Sequence, residues 1–120
     1  MEYSIMLLDD DEDLLELTRS NLESISYLKI LPFSDPLQAL RRIHLFELPH
    51  LIITDLDLPG MSGIEFLAEV LRIHPSVAAI IFTRQPESLP HNCRYPVILK
   101  EPGAYMHLIA MVESILHSPG

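Results

Sequence analysis

Acidic residues follow short apolar runs in this chain, and chemistry is to be sought at those junctions. Ser4 to Leu8 stops on Asp9, Asp10 and Asp11, Leu51 to Thr54 stops on Asp55, and the later runs Val77 to Phe82 and Val97 to Leu99 stop on Thr83 and Lys100. If Asp9, Asp10 and Asp55 share one rim, their carboxylates repel one another, and the rim calls for a bound cation or a strong basic neighbour. Hard oxygen donors with room for water suit Mg²⁺, which takes one or two carboxylates together with phosphate oxygens. A hydroxyl from Thr83 and an ammonium from Lys100 complete a phosphoryl-transfer set: a carboxylate nucleophile, a metal, and two groups to hold the transferred oxygens.

For those residues to meet, the runs before them must be neighbouring strands. Ser4 to Leu8 is too short for a helix and reads as a buried parallel strand. Leu14, Thr18, Leu22 and Ile25 recur at helical spacing opposite Glu16, Arg19 and Glu23, giving an amphipathic first helix. Tyr27 to Leu31 reads as a second strand. Asp35 before Pro36 supplies an N-cap acceptor and a ring preset for the first helical position, and that helix runs to about His44. Leu51 to Thr54 is the third strand. Pro59, Gly60 and Gly63 punctuate the next loop, where Ser62 and Glu65 form a capping box for a helix whose apolar stripe is Ile64, Leu67, Val70, Leu71 and Ile73. Val77 to Phe82 and Val97 to Leu99 are strands four and five. A last helix, about Ala104 to His117, turns Leu108, Met111, Val112 and Ile115 to one side. Strands alternating with helices predict an α/β parallel sheet with helices on both faces, and ligands of such sheets gather at the carboxyl ends of the strands.

Bulk properties narrow the function. The 120 residues are one compact domain, and Ser118-Pro119-Gly120 suit a domain boundary. The chain is thus expected to be a single domain over residues 1–120, standing alone or as the N-terminal piece of a longer protein. Eight basic against seventeen acidic residues give −9, a surface that repels nucleic acid and anionic lipid. Cys93 is the sole cysteine, so no internal disulfide can form and no oxidising compartment is needed. The acidic N-terminus is unlike a secretory signal, and no apolar run reaches membrane-span length. A cytoplasmic, soluble location is the expectation.

Four segments in order, LLDDDEDLLEL, LIITDLDLPGMSGIEFL, IIFTRQ and ILKEP, resemble the receiver domain of two-component response regulators, over nearly the whole chain. The resemblance implies a flavodoxin-like, doubly wound sheet of five parallel strands in the order 2-1-3-4-5. It implies that Asp55 accepts a phosphoryl group from a histidine kinase or histidine phosphotransfer protein. Asp9 and Asp10 then hold Mg²⁺ with Asp55 and the backbone carbonyl of Asp57, while Thr83 and Lys100 follow the transferred group. Such a domain is a conformational switch that loses its phosphoryl group slowly to water, not a turnover enzyme. Asp11, Glu12 and Asp13 are then first-turn acids favoured by the helix dipole.

The chain also departs from that pattern. Thr83 and Lys100 are only 17 residues apart, and Pro86, Pro90 and Pro96 interrupt the stretch between them, so helix four is expected to be very short or missing. That alters the family's usual output and dimer face, through which a homodimer would be atypical. Val97 stands where an aromatic usually precedes the lysine by three residues, with Tyr95 two residues further back. Arg84 follows Thr83 where a small residue is usual; it is long enough to fold over the pocket, pair with Asp57, hinder the phosphodonor or partly replace the cation. Glu101 intervenes before Pro102, so a cis bond either shifts to Glu101-Pro102 or is lost, and Glu101 is a competitor for Lys100. These departures keep an alternative open: a degenerate receiver used as an unphosphorylated protein-interaction module.

Other readings fail on particular residues. Asp9, Asp11 and Asp13 mimic an EF-hand start, but Leu14 and Ser20 occupy the positions needing Gly and Glu. Asp55-Leu56-Asp57 resembles the haloacid-dehalogenase nucleophile motif, which belongs on a first strand and needs further acids and a cap. An FMN phosphate loop would not be DDDED. His44, His50, His74, His91, His107 and His117 read as surface and helix-end residues, Cys93 as an ordinary thiol, and Met61, Met106 and Met111 as core or loop packing.

Overall fold

A computed structural model describes residues 2–117. Five strands, β1 (Tyr3–Leu8), β2 (Leu28–Phe33), β3 (Leu51–Thr54), β4 (Ala79–Thr83) and β5 (Val97–Leu99), alternate with α1 (Glu12–Leu22), α2 (Pro36–Leu45), α3 (Gly63–Ile73) and α4 (Ala104–Leu116). All strand pairs are parallel and the order is β2-β1-β3-β4-β5, the doubly wound arrangement expected of the alternating pattern. Central β1, β3 and β4 are buried almost throughout, which is why they read as unbroken apolar runs rather than alternating ones.

The sheet separates two apolar layers. On one side Ile5, Leu7, Ile53 and Phe82 meet Leu22 of α1 and Leu108 and Val112 of α4. On the other, Met6, Leu8, Ile52 and Ile81 meet Ala39 and Ile43 of α2 and Phe66, Leu67 and Val70 of α3. Each helix start has a local cause. Asp11 caps α1 by accepting from the amides of Asp13 and Leu14, Asp35 caps α2 through Leu37 N–H, and Ser62 with Glu65 closes the expected capping box of α3.

Several boundaries move. β2 spans Leu28–Phe33 rather than Tyr27 to Leu31, and β4 spans Ala79–Thr83 rather than Val77 to Phe82, because the register is set by the neighbours, Ile5↔Ile30 and Ile53↔Ile80, and not by where each apolar run begins. Asp11 is the N-cap itself, so only Glu12 and Asp13 are first-turn acids of α1. α1 ends at Leu22, which leaves Ile25 in the turn after it. In α3 the buried stripe is Gly63, Phe66, Leu67 and Val70; Ile73 is exposed in the last turn and Phe66 takes its place in the core. Met106 is 81% exposed and so lies outside the core.

Between β4 and β5 the expected loss of a helix is observed. Only a 3-10 turn, Pro86–Ser88, interrupts an irregular strap over 84–96. The strap packs Leu89, Cys93 and Tyr95 against the α2–α3 layer, so three residues do the covering that a helix would otherwise do. Glu101-Pro102 is trans, as is every described peptide bond.

Candidate functional site: a carboxylate cleft at the strand ends

The parallel register fixes the rim. Leu8 is level with Thr54, and Thr54 with Ile81, so the residues immediately after β1 and β3 emerge side by side while Thr83 closes β4. Asp55 N–H donates to the Leu8 carbonyl at 2.9 Å, and Lys100 N–H to the Thr83 carbonyl at 2.8 Å, carrying the pairing one step past the strands into the site. Carboxylate oxygens of Asp9, Asp10 and Asp55 lie within 4.8 Å of one another. These residues line an open cleft of about 270 Å³ together with Asp11, Asp57, Thr83, Arg84, Gln85 and Lys100.

Lys100 ties the cleft together. Its Nζ donates to Asp9 Oδ2 at 2.6 Å and to Asp55 Oδ2 at 2.9 Å, with the three side chains only 8%, 8% and 15% exposed. A cation shared by two shielded carboxylates offsets the repulsion that the sequence implied. Burial pushes the carboxyl of Asp9 above its ordinary value, against the pull of the Lys100 hydrogen bond and charge and of the Asp11 N–H; the nearby charge of Asp55 adds to the rise. Asp55 is further held by its own loop, since Leu56 N–H donates to its Oδ1 at 2.7 Å. Thr83 is buried, and its hydroxyl accepts from Gln85 N–H at 3.1 Å. Asp10 and Asp57 are exposed.

The donor set fits a hard divalent cation: carboxylate oxygens from Asp9, Asp10 and Asp55 at one spot, one deeply shielded and one open to water, with Asp57 on the same wall. Arg84 also lies on this wall, but among the described residues it forms no ion pair with Asp57 or any other acid, and its side chain is exposed. Glu101 likewise does not pair with Lys100, whose ammonium is directed at Asp9 and Asp55. One contributor escaped the sequence reading. Gly63 at the start of α3 sits against the Asp55 carbonyl, and its N–H donates to the Leu56 carbonyl at 2.7 Å.

Residues 5–93 match the response regulator receiver domain family. The chain belongs to that family. Among curated relatives, this receiver is 31% identical over 89 residues to protein-glutamate methylesterase/protein-glutamine glutaminase 2 of Saccharophagus degradans, an alignment covering 73% of this chain and 25% of that protein. It is 27% identical over 122 residues to the transcriptional regulatory protein YesN of Bacillus subtilis, covering 95% of this chain and 32% of that protein. The receiver therefore spans about a fifth to a third of the length of the curated relatives it matches. Among solved structures, RcsB of Salmonella enterica bound to promoter rprA in the presence of phosphomimetic BeF3⁻ superposes with a TM-score of 0.82 at 23% identity, over 96% of this chain and 62% of that one. The BeF3-activated DrrB receiver domain gives 0.77 at 21% identity, over 97% and 98% of the two chains. These structural likenesses show the shared fold.

No helix among the described residues is long and apolar enough to cross a membrane.

Proposed function

We propose that this receiver accepts a phosphoryl group on Asp55 from a phosphohistidine of a histidine kinase or phosphotransfer protein, in a reaction that needs Mg²⁺. The observation that carries the reading is the meeting of Asp9, Asp10 and Asp55 oxygens within 4.8 Å, with Lys100 bridging two of them. An Asp55 carboxylate oxygen attacks phosphorus; the P–O bond forms as the donor's P–N bond breaks, and the imidazole leaves with the electron pair. Mg²⁺, when bound, neutralises charge on the transferred oxygens. Asp9 and Asp10 would hold it, with Asp55 and the carbonyl of Asp57 completing the protein's share.

The remaining roles belong to the protein. In this reading Lys100, which now donates to Asp9 and Asp55, exchanges Asp55 for a phosphoryl oxygen, and the Thr83 hydroxyl, which now accepts from Gln85 N–H, turns toward the same group. The phosphoryl charge then biases two arrangements of the β4–strap junction only by the difference in its contacts in each. The domain acts as a switch, with slow return by hydrolysis, in the cytoplasm.

A second reading, a receiver fold retained for binding without phosphorylation, is favoured by Arg84 on the cleft wall and by the strap replacing a helix. Incubation with acetyl phosphate and Mg²⁺ followed by intact-mass measurement separates the two. One phosphoryl adduct on the wild type, absent from Asp55→Asn, is the expected result. No adduct on the wild type, where ordinary receivers react, would count against phosphorylation and favour the second reading.

A further inference from the structure

We propose that the solvent face of α2 is a docking surface for an acidic amphipathic helix of a partner protein. α2 meets its obligations to the core with Pro36, Ala39 and Ile43, which are buried, and with Leu40 beside them. It nevertheless carries a second apolar stripe on the other side. Leu37 and Leu45 stand eight residues apart, at the two ends of the i, i+4, i+8 ridge that runs obliquely along the helix, and are 64% and 69% exposed; Phe46, just past the helix, is 59% exposed. Three large apolar side chains left exposed on one ten-residue helix and the residue that ends it are more than the scattered single apolar residues of an ordinary surface.

Charge defines the occupant. In a chain of net charge −9, α2 alone of the four described helices contains no acid, while it carries Arg41, Arg42 and His44. Arg41 lies between Leu37 and Leu45 on that ridge. Elsewhere on the helices arginines are already satisfied: Arg19 pairs with Glu16 and Glu23, and Arg72 with Glu69. Arg41 and Arg42 form no ion pair among the described residues. Arg42 is stacked on the Phe46 ring with its guanidinium carbon 4.2 Å from the centroid, and its Nε is shut off from solvent without a hydrogen bond. That stack holds a planar cationic fork beside an aromatic surface, the combination that suits a carboxylate presented next to an apolar side chain.

An anionic membrane would set an extended plane of charge against the whole domain of net charge −9, whereas a single helix meets only the local face of Arg41 and Arg42, and a copy of α2 would bring arginine against arginine. A helix with leucines at four-residue spacing and glutamates flanking them matches both features at once. The face is on the sheet side opposite α1 and α4, and no α2 residue lines the carboxylate cleft, so such a partner can bind without blocking Asp55.

The test uses the whole chain and a synthetic helical peptide of about sixteen residues, long enough to hold its helix when bound, with leucines at that spacing and glutamate between them. Amide shifts are followed by NMR during titration. The expected result is saturable binding mapped to α2 and to Phe46, weakened at least about tenfold by a joint Leu45→Ser and Phe46→Ser change that leaves the melting temperature unmoved. Arg41→Glu should shift preference toward the same peptide with lysine in place of glutamate. Equal binding of the two peptides by the wild type, shifts confined to α1 and α4, absence of shifts, self-association, or adsorption to phosphatidylglycerol vesicles in place of peptide binding would each overturn the proposal.

Discussion

Gly63 presses on the backbone of Asp55: a Cβ added at Gly63 would stand 2.2 Å from the Asp55 carbonyl oxygen. The φ of Gly63 is not in the left-handed region, so the requirement is closeness and not backbone freedom. The start of α3 thereby sets the height of the loop that carries the proposed acceptor.

Gly63→Ala must push α3 and the Asp55 loop apart. Overpacking of this kind costs about 1–3 kcal/mol. The expected outcome is a lower urea midpoint and, at matched folded fraction, weaker Mg²⁺ binding, since Asp55 is displaced relative to Asp9. A stability loss with unchanged Mg²⁺ affinity would show that the loop relaxes without moving the carboxylate.

Lys100→Ala removes the shared partner of Asp9 and Asp55 and leaves two shielded carboxylates facing one another. Breaking such a pair costs about 3–5 kcal/mol. Because a divalent ion can replace the missing charge, Mg²⁺ should recover more stability in this variant than in the wild type. Melting temperatures with EDTA and with Mg²⁺ measure the difference; equal gains in both proteins would separate Lys100 from the ion's site.

Arg84 carries a free charge on the cleft wall. Across water, a unit charge at about 8 Å from a divalent ion is repelled by about 1 kcal/mol before salt screening reduces it. Arg84→Ala should therefore raise Mg²⁺ affinity by about two- to fivefold at low salt, with the gain shrinking as salt is added. Calorimetric titration at two ionic strengths checks it, and no gain at low salt would remove Arg84 from the ion's neighbourhood.

How the site came to be legible follows from strand geometry. Asp9, Asp55 and Thr83 could be placed together because buried parallel strands are unbroken apolar runs, and a polar residue that ends one lies at the sheet rim. The missing helix was equally plain from Pro86, Pro90 and Pro96. Contacts set by register and helix rotation were not. The starts of β2 and β4 moved by one and two residues because neighbours decide pairing, and Phe66 displaced Ile73 from the α3 core because both fit a helical stripe. Gly63 read as loop punctuation, since its contact with Asp55 joins positions eight apart whose closeness only the folded turn creates. Which acids Lys100 reaches, Asp9 and Asp55 and not Glu101, also required the three-dimensional arrangement.

Asp9 gives the fold a pH dependence whose sign can be worked out. Burial raises its carboxyl above the ordinary 3.8, so in the metal-free protein the folded state binds this proton more tightly than the unfolded chain does. The stabilisation from that proton is complete below the ordinary value and is lost as pH rises through the raised one. Asp9→Asn, which cannot ionise, lacks this contribution. In EDTA, the stability of the wild type relative to Asp9→Asn should therefore fall as pH rises across that window and level off above it. Mg²⁺ binds the carboxylate and opposes the proton, so with the ion present the relative stability of the wild type should instead climb with pH. Paired urea titrations at several pH values read both slopes; parallel curves for the two proteins in EDTA would mean that Asp9 is no more shielded than an ordinary surface acid.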